Sequence, residues 1–271
     1  MTATDADFVR DLVRKRSAIV IDASKTYLIE SRLGPVARTA GLNSLEELVT
    51  RLRREPLGKL QDLVVDAMTT NETTFFRDVG LWTALEKELL PELIAARAQT
   101  RSLTIWSAAS SSGQEPYSLA MLLHDKFPHI VSSYNVRIIA TDLSAEMLGR
   151  AAAGRYTQLE VNRGLPAPLL VKHFTRDGAF WQVDQKLREM VEFRALNLVE
   201  PWPFMPDVDL LLMRNVLIYF DLETKREILG RCRRALRHGG HLVLGTSETT
   251  LNIDDAYERV VLPTATTYRP R

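Results

Sequence analysis

Through the first sixty positions the apolar residues recur at helical spacing. Phe8, Leu12 and Val13 are followed by Tyr27, Leu28, Leu33 and Val36, then by Leu45, Leu48, Val49 and Leu52, with no convincing strand among them. One apolar stripe per helix must face its neighbours, so the pattern predicts short helices packed as a small bundle. Ser44, ahead of Glu46 and Glu47, fits an N-cap followed by acids in the first turn. From Gln61 to Arg97 the stripes lengthen: Leu63, Val64 and Met68 mark one amphipathic helix, and Leu81, Trp82, Leu85, Leu89 and Leu93 mark another. Between them TTNETTFFRD, Thr69 to Asp78, breaks the period.

Beyond Arg101 the pattern changes. Leu103, Ile105 and Trp106 form a short β-prone run, and Ser107 to Gly113 is all small residues, which let a ligand approach the backbone. A helix follows, with Pro116 in its first turn and Leu119, Ala120, Leu122 and Leu123 on its apolar face. A second strand, Val136 to Thr141, ends on Asp142 and leads to a helix through Met147, Leu148 and Ala152. Pro166 and Pro168 open a short helix through Leu169, Leu170 and Phe174. Two β-prone runs, Ala179 to Val183 and Met190 to Phe193, then predict a small antiparallel ribbon projecting from the main domain at about 175–195.

Val208 to Met213 is almost uniformly apolar, as a central parallel strand covered on both faces should be. The next helix, Thr224 to Leu236, is expected to end through a positive-φ cap at His238, Gly239 and Gly240. His241 to Gly245 is a further strand, and Val260, Val261 and Thr266 to Tyr268 are close enough to pair as an antiparallel edge. Strand, small-residue turn and helix open an α/β nucleotide-binding domain, whose crevice lies beyond the carboxyl ends of the strands. The turn has only Gly113 and lacks the G-x-G-x-x-G spacing, so on its own it also fits an ordinary strand-to-helix connection.

Composition narrows the class. The chain has 271 residues, 45% hydrophobic and 25% charged, enough for one α/β domain and a smaller companion and unlike a disordered or fibrous protein. A formal net charge of +1 provides no global field to recruit nucleic acid or an anionic membrane, so no nucleic-acid partner and no membrane insertion are expected. The single Cys232 excludes an internal disulfide framework, and no secretory or long apolar segment is visible, which favours the cytoplasm. The five histidines, His124, His129, His173, His238 and His241, show no metal-ligand spacing with Cys232 or a carboxylate cluster, so no metal is expected.

Several polar residues carry chemistry in this pattern. In Thr69 to Asp78, Asn71, Thr73 and Arg77 interleave ligand-bonding side chains with Phe75 and Phe76, although Thr70 or Asn71 also fits a helix cap. Arg77 has a planar fork suited to a carboxylate. Asp142, at the end of the second strand, can accept from two ribose hydroxyls, or it or Ser144 can cap the next helix. Arg214 and Asn215 stand at the carboxyl end of a strand, where such a sheet keeps its ligand. Basic residues gather in the first sixty positions, and either line a solvated face or dock an acidic partner.

Four stretches, NETTFFRD, IWSAASSSGQEPYSLAM, ATDLS, and LLMRNVLIYFD followed by GGHLVLGTSE, closely resemble in order and spacing the CheR family of chemotaxis-receptor glutamate O-methyltransferases. The resemblance runs from about residue 5 to the C-terminus. It implies an α/β protein with a Rossmann-like class I methyltransferase domain, a small N-terminal helical domain and an inserted antiparallel β-subdomain. The expected division is 1–75 for the receptor-docking helices and linker, and 76–271 for the methyltransferase domain.

Carried over residue by residue, the resemblance implies that Asn71, Thr73 and Arg77 line the pocket for S-adenosylmethionine and that Glu115 contacts its methionine part. Asp142 matches the ribose-binding acid, Asn197 and Leu198 the adenine side, and Asn215 and Val216 the strand-end contacts. Arg77 and Tyr219 are the candidates for positioning a substrate carboxylate. Gln114 departs from the acidic residue more usual there, while Glu115 retains a carboxylate. The implied products are a glutamyl methyl ester and S-adenosylhomocysteine.

A glutamate carboxylate is ionised at neutral pH, so attack on a sulfonium methyl needs no general base, and none is evident. The implied partner is the acidic methylation helices of chemotaxis receptors, met by Lys25, Arg32 and Arg38, with a tether of a receptor tail to the β-subdomain left open. Rival readings are another methyl acceptor and a cofactor-binding module without turnover. RNVLIY in place of an N-P-P-Y-type strand end argues against transfer to nitrogen.

Overall fold

A computed structural model describes residues 1–55 and 58–271. Four helices come first: α1 (Ala3–Ser17), α2 (Thr26–Thr39), α3 (Leu45–Arg54) and α4 (Lys59–Met68). They close on Val9, Val13, Ile29, Leu33, Ala37, Leu48, Leu52, Val64 and Met68, so the helical spacing does mark a bundle core. Ser44 caps α3 as expected, its hydroxyl accepting from the Glu47 amide at 3.1 Å. The apolar stripe of α2 differs from the expected one. It runs through Ile29, Leu33 and Ala37, four residues apart, which turns Tyr27 outward with 63% of its surface exposed.

Residues 69–78 have no regular structure and carry the chain to a continuous helical run: α5 (Val79–Ala84), a π-turn at Leu85–Leu89 and α6 (Leu90–Ala96). Neither Thr70 nor Asn71 caps it. Asp78 occupies the N-cap position with φ +63 and makes no side-chain cap bond.

The α/β domain follows as β1 (Ser102–Ala108), α7 (Gln114–Lys126), α8 (Pro128–Ser133), β2 (Asn135–Asp142), α9 (Ala145–Ala153), β3 (Arg155–Thr157), α10 (Gln158–Asn162) and α11 (Ala167–His173). Next come β4 (Phe174–Asp177), β5 (Phe180–Val183), α12 (Gln185–Arg188), β6 (Val191–Ala195), β7 (Val208–Met213), α13 (Leu222–Ala235), β8 (Leu236–Leu244), β9 (Tyr257–Val261) and β10 (Thr266–Pro270). The main sheet has the order β6-β2-β1-β7-β8-β10-β9. Its first five strands are parallel, while β10 runs antiparallel to both β8 and β9, giving the edge expected from the tail.

Strand faces explain the uniform apolar runs. Leu103 and Ile105 of β1, with Leu210 and Leu212 of β7, enter the core beneath α5, α6 and α7. Trp106 and Ala108, with Leu211 and Met213, enter the opposite core against Ile228, Leu229 and Cys232 of α13. Alternate side chains point to opposite faces, and here both faces are covered. The strand order reverses between β1 and β7, which opens a crevice beyond their carboxyl ends.

Three expectations are corrected. The small antiparallel sheet is β3-β5-β4, and the run Met190 to Phe193 belongs elsewhere: β6 pairs in parallel with β2, from Ile138 opposite Val191 to Asp142 opposite Ala195. The tight turn lies between β4 and β5, where Gly178 at φ +58 makes a two-residue connection. The polar stretch after β5 holds α12 and returns the chain to the main sheet.

Second, α13 stops at Ala235 without a glycine cap. Leu236 is already extended, and Gly239 at φ +78 lies in an irregular start to β8, where pairing jumps from Val208–Leu236 to Leu210–His241. Third, the fold does bring two histidines and an acid together: His124, Asp125 and His173 each place a ligand-type atom within 4.8 Å of the others. Among the described residues, no helix is long and apolar enough to cross a membrane.

Candidate active site

The connection from β1 to α7 passes through several left-handed backbone conformations. Ala109 and Ser111 have φ +54 and +49, and Gly113 has φ +93. A Cβ on Gly113 would lie 2.8 Å from the Ala151 Cβ and 3.1 Å from the Tyr156 hydroxyl, so the glycine is needed both for its angle and for its space. Phe76, Asp78 and Asn215 also have positive φ. Left-handed non-glycine residues are strained and persist only where packing holds them, and Ala109, Ser111 and Asn215 border one cleft.

The cleft lies over the carboxyl ends of β1, β2 and β7 and measures about 930 Å³, counting space open to solvent. Every residue nominated from the sequence lines it: Asn71, Thr73, Arg77, Glu115, Asp142, Asn197, Leu198, Asn215, Val216 and Tyr219.

The two acids are held differently. Glu115, in the first turn of α7, receives the Ser107 hydroxyl on Oε1 at 2.8 Å and the Arg214 guanidinium on Oε2 at 2.7 Å. Asp142 receives the Ser111 amide on Oδ2 at 2.7 Å and the Ser144 amide on Oδ1 at 2.9 Å. The helix cap belongs to Ser144 alone, whose hydroxyl accepts from the Met147 amide at 3.0 Å. Asp142 is thus left to face the cleft. Burial pushes its pKa upward, against the opposing pull of the Ser144 and Ser111 amides.

The segment 69–78 forms one wall. The Asn71 carbonyl accepts from the Ser111 hydroxyl at 2.8 Å, and its side-chain amide donates to the Thr69 hydroxyl at 2.9 Å. The half-buried Arg77 makes one long contact, to the Glu72 carbonyl at 3.4 Å, and has no acid partner among the described residues. On the opposite wall the Asn197 amide donates to the Arg16 carbonyl at 2.8 Å, and the Tyr219 carbonyl accepts from the Val20 amide at 3.0 Å, so the end of α1 closes the cleft.

Two further residues organise the site. Arg214, whose side chain is 2% exposed, joins Glu115, Asp78 at 2.6 Å and the Arg77 carbonyl at 2.9 Å. Burial opposes its charge, but the paired acids more than offset this and raise its pKa. Its place at the end of an apolar strand was the available signal. Glu248 accepts from the amides of Asn215 and Gly245, both at 2.7 Å, Val216 at 2.9 Å and Ile218 at 3.3 Å. It closes the stretch GGHLVLGTSE, but its role bonding backbone amides is not readable from spacing.

A doubly wound sheet carrying an antiparallel edge, with acids at the start of the helix after β1 and at the end of β2 facing one crevice, defines a class I S-adenosylmethionine-dependent methyltransferase. The chain belongs to the CheR methyltransferase family. Residues 71–266 match the CheR methyltransferase SAM binding domain, and residues 4–69 match the CheR methyltransferase all-alpha domain. It is 44% identical to chemotaxis protein methyltransferase 1 of Pseudomonas aeruginosa over the whole of both chains. It is 40% identical to a chemotaxis protein methyltransferase of Pseudomonas putida over 96% of each chain. With chemotaxis protein methyltransferase 1 of Vibrio cholerae the identity is 41%, over 96% of this chain and 95% of that one.

The site suits the family's methyl donor. The Ser110 hydroxyl and the Arg214 Nε are buried without a protein partner, and both residues line the cleft. The Asp142 carboxylate retains lone pairs for two hydroxyl donors.

Proposed function

We propose that this chain methylates glutamate side-chain carboxylates of chemotaxis receptors, forming glutamyl methyl esters, and that the residues of this cleft perform the transfer. S-adenosylmethionine supplies the electrophilic methyl on a sulfonium. In this reading Asp142 holds the ribose hydroxyls, Glu115 the methionine ammonium, and Asn197 and Leu198 flank the adenine. Thr73, Asn71, Asn215 and Val216 shape the remaining walls.

The observation that carries the proposal is Arg77. A half-buried guanidinium without an acid partner among the described residues, on the rim shared with Glu115, Asp142 and Tyr219, is suited to an incoming carboxylate. No proton need move, since that carboxylate is already ionised. Arg77 and Tyr219 therefore orient it and displace its water, and the rate gain comes from collinear placement. A tighter ion pair would stabilise the ground-state anion and slow transfer, so a single long backbone contact, which leaves the guanidinium mobile, favours this role.

Lys25 and Arg38 are exposed on the N-terminal helices and fit the acidic methylation helices of a receptor. The open edge of β4 would accept a receptor tail as an added strand. A radiolabelled methyl-transfer assay on receptor cytoplasmic domains tests the function. Alkali-labile label is expected, with methyl transfer in Arg77→Lys falling by a larger factor than S-adenosylhomocysteine affinity. Alkali-stable label would overturn ester formation.

A further inference from the structure

We propose that His124, Asp125 and His173 form a transition-metal site that staples the inserted β-subdomain to the end of α7. The three residues come from two places in the chain. His124 and Asp125 lie in the last turn of α7, and His173 ends α11, where the chain enters β4 of the small sheet. Their ligand atoms converge: the His124 Nδ1 is 3.2 Å and the His173 Nε2 2.9 Å from the same oxygen, Asp125 Oδ1, and all three lie within 4.8 Å of one another.

Ligands bound at about 2.0–2.1 Å in a tetrahedron stand roughly 3.3 Å apart. Two edges of the triad are close to this already, and the third needs only a closing movement of the imidazoles, whose rings meet edge to face at 86°. The chemistry of the set is selective. Two imidazoles and one carboxylate suit Zn²⁺, Co²⁺ or Ni²⁺, whereas Mg²⁺ and Ca²⁺ prefer oxygen alone. The His173 side chain is fully buried and Asp125 largely so, which limits competition from water.

Lys172 marks the spot. Its ammonium lies 2.8 Å from that same Asp125 oxygen, on a side chain more than half exposed. It is a removable cation seated where a metal would be attracted, so it competes for the site. The His173 Nδ1 is buried without a partner, and the site therefore lacks the outer hydrogen bond that strengthens most metal-bound imidazoles. Affinity about tenfold or more below that of a site with this bond follows. Asp125 is ten residues from Glu115 along the same helix, about 15 Å at 1.5 Å per residue, so the metal would be structural and remote from methyl transfer.

The test uses the full chain without an affinity tag, stripped with a chelator and titrated with Zn²⁺ by calorimetry and with Co²⁺ by visible absorption. One equivalent with a tetrahedral Co²⁺ spectrum is expected. His124→Ala and Asp125→Asn should each weaken binding about tenfold or more, and Lys172→Ala should tighten it. His124 is partly exposed, so its variant should keep the native circular dichroism and S-adenosylhomocysteine binding. Zn²⁺ should also slow proteolysis within residues 155–188 of the wild type alone. Equal affinity in wild type and His124→Ala, an octahedral Co²⁺ spectrum, or no tightening in Lys172→Ala would overturn the proposal.

Discussion

Asp142 shows how much one side chain can report. In the free protein its burial raises the pKa above that of the unfolded chain, so the folded state favours the protonated acid. The stability this contributes is present below the unfolded value and disappears as pH rises through the folded one, above which the buried carboxylate is ionised. Ribose hydroxyls can bond that anion, but they cannot both donate to a protonated acid. Cofactor affinity is therefore expected to be flat above that raised pKa. It should fall as pH drops through the raised pKa, by at most about tenfold per pH unit, starting at a higher pH than an ordinary aspartate would give. Calorimetry with S-adenosylhomocysteine across a pH series checks this, and Asp142→Asn should remove the slope. Asp142 was legible because its position at the end of a strand has a chemical meaning, and Glu115 through the resemblance carried by its loop. The role of Glu248, at the end of GGHLVLGTSE, was not, since the amides it gathers come from a neighbouring connection that only the folded chain brings near.

At the scale of elements, strands with both faces buried announced themselves, whereas pairing did not. The run at 190–193 has the composition of a hairpin partner, but the order of the sheet depends on where α12 returns the chain, which no local pattern encodes. The misplaced glycine cap has a similar cause. Gly240 is required by backbone crowding, since a Cβ there would lie 3.0 Å from the carbonyls of Val208 and Asp209 on β7. A pair of glycine variants separates angle from contact. Gly164 has φ +89, and a Cβ there would lie 2.1 Å from the Phe75 carbonyl, so Gly164→Ala must displace the segment carrying Asn71, Thr73 and Arg77. It should cost about 2–3 kcal/mol and weaken cofactor binding. Gly178 has φ +58 with open space around it, so Gly178→Ala should cost about 1 kcal/mol and leave binding unchanged. Denaturant unfolding and cofactor titration on the two proteins make the comparison.

Across the whole molecule, the N-terminal bundle has two tasks that the sequence merged into one basic face. Arg32, expected beside Lys25 and Arg38 on the docking face, is engaged within the chain. Its guanidinium donates to the Met68 and Thr69 carbonyls, both at 2.8 Å, and to the Thr70 hydroxyl at 3.2 Å, fixing the start of the segment that lines the cleft. The bundle also reaches the far wall through the Arg16 carbonyl on Asn197 and the Val20 amide on Tyr219. Lys25 and Arg38 stay exposed, and no ion pair engages them among the described residues. Docking and cleft closure should therefore separate by mutation. The double variant Lys25→Glu, Arg38→Glu is expected to raise the KM for receptor several-fold with cofactor affinity intact. The wild-type KM should rise with salt, because the interaction lies at the surface and is screened. Arg32→Ala should do the reverse, weakening cofactor binding by roughly tenfold, about the 1.4 kcal/mol that charge-assisted bonds to carbonyls carry. Steady-state kinetics at two ionic strengths with cofactor calorimetry distinguish them: an unchanged receptor KM in the double variant would remove the bundle's exposed cations from the docking surface.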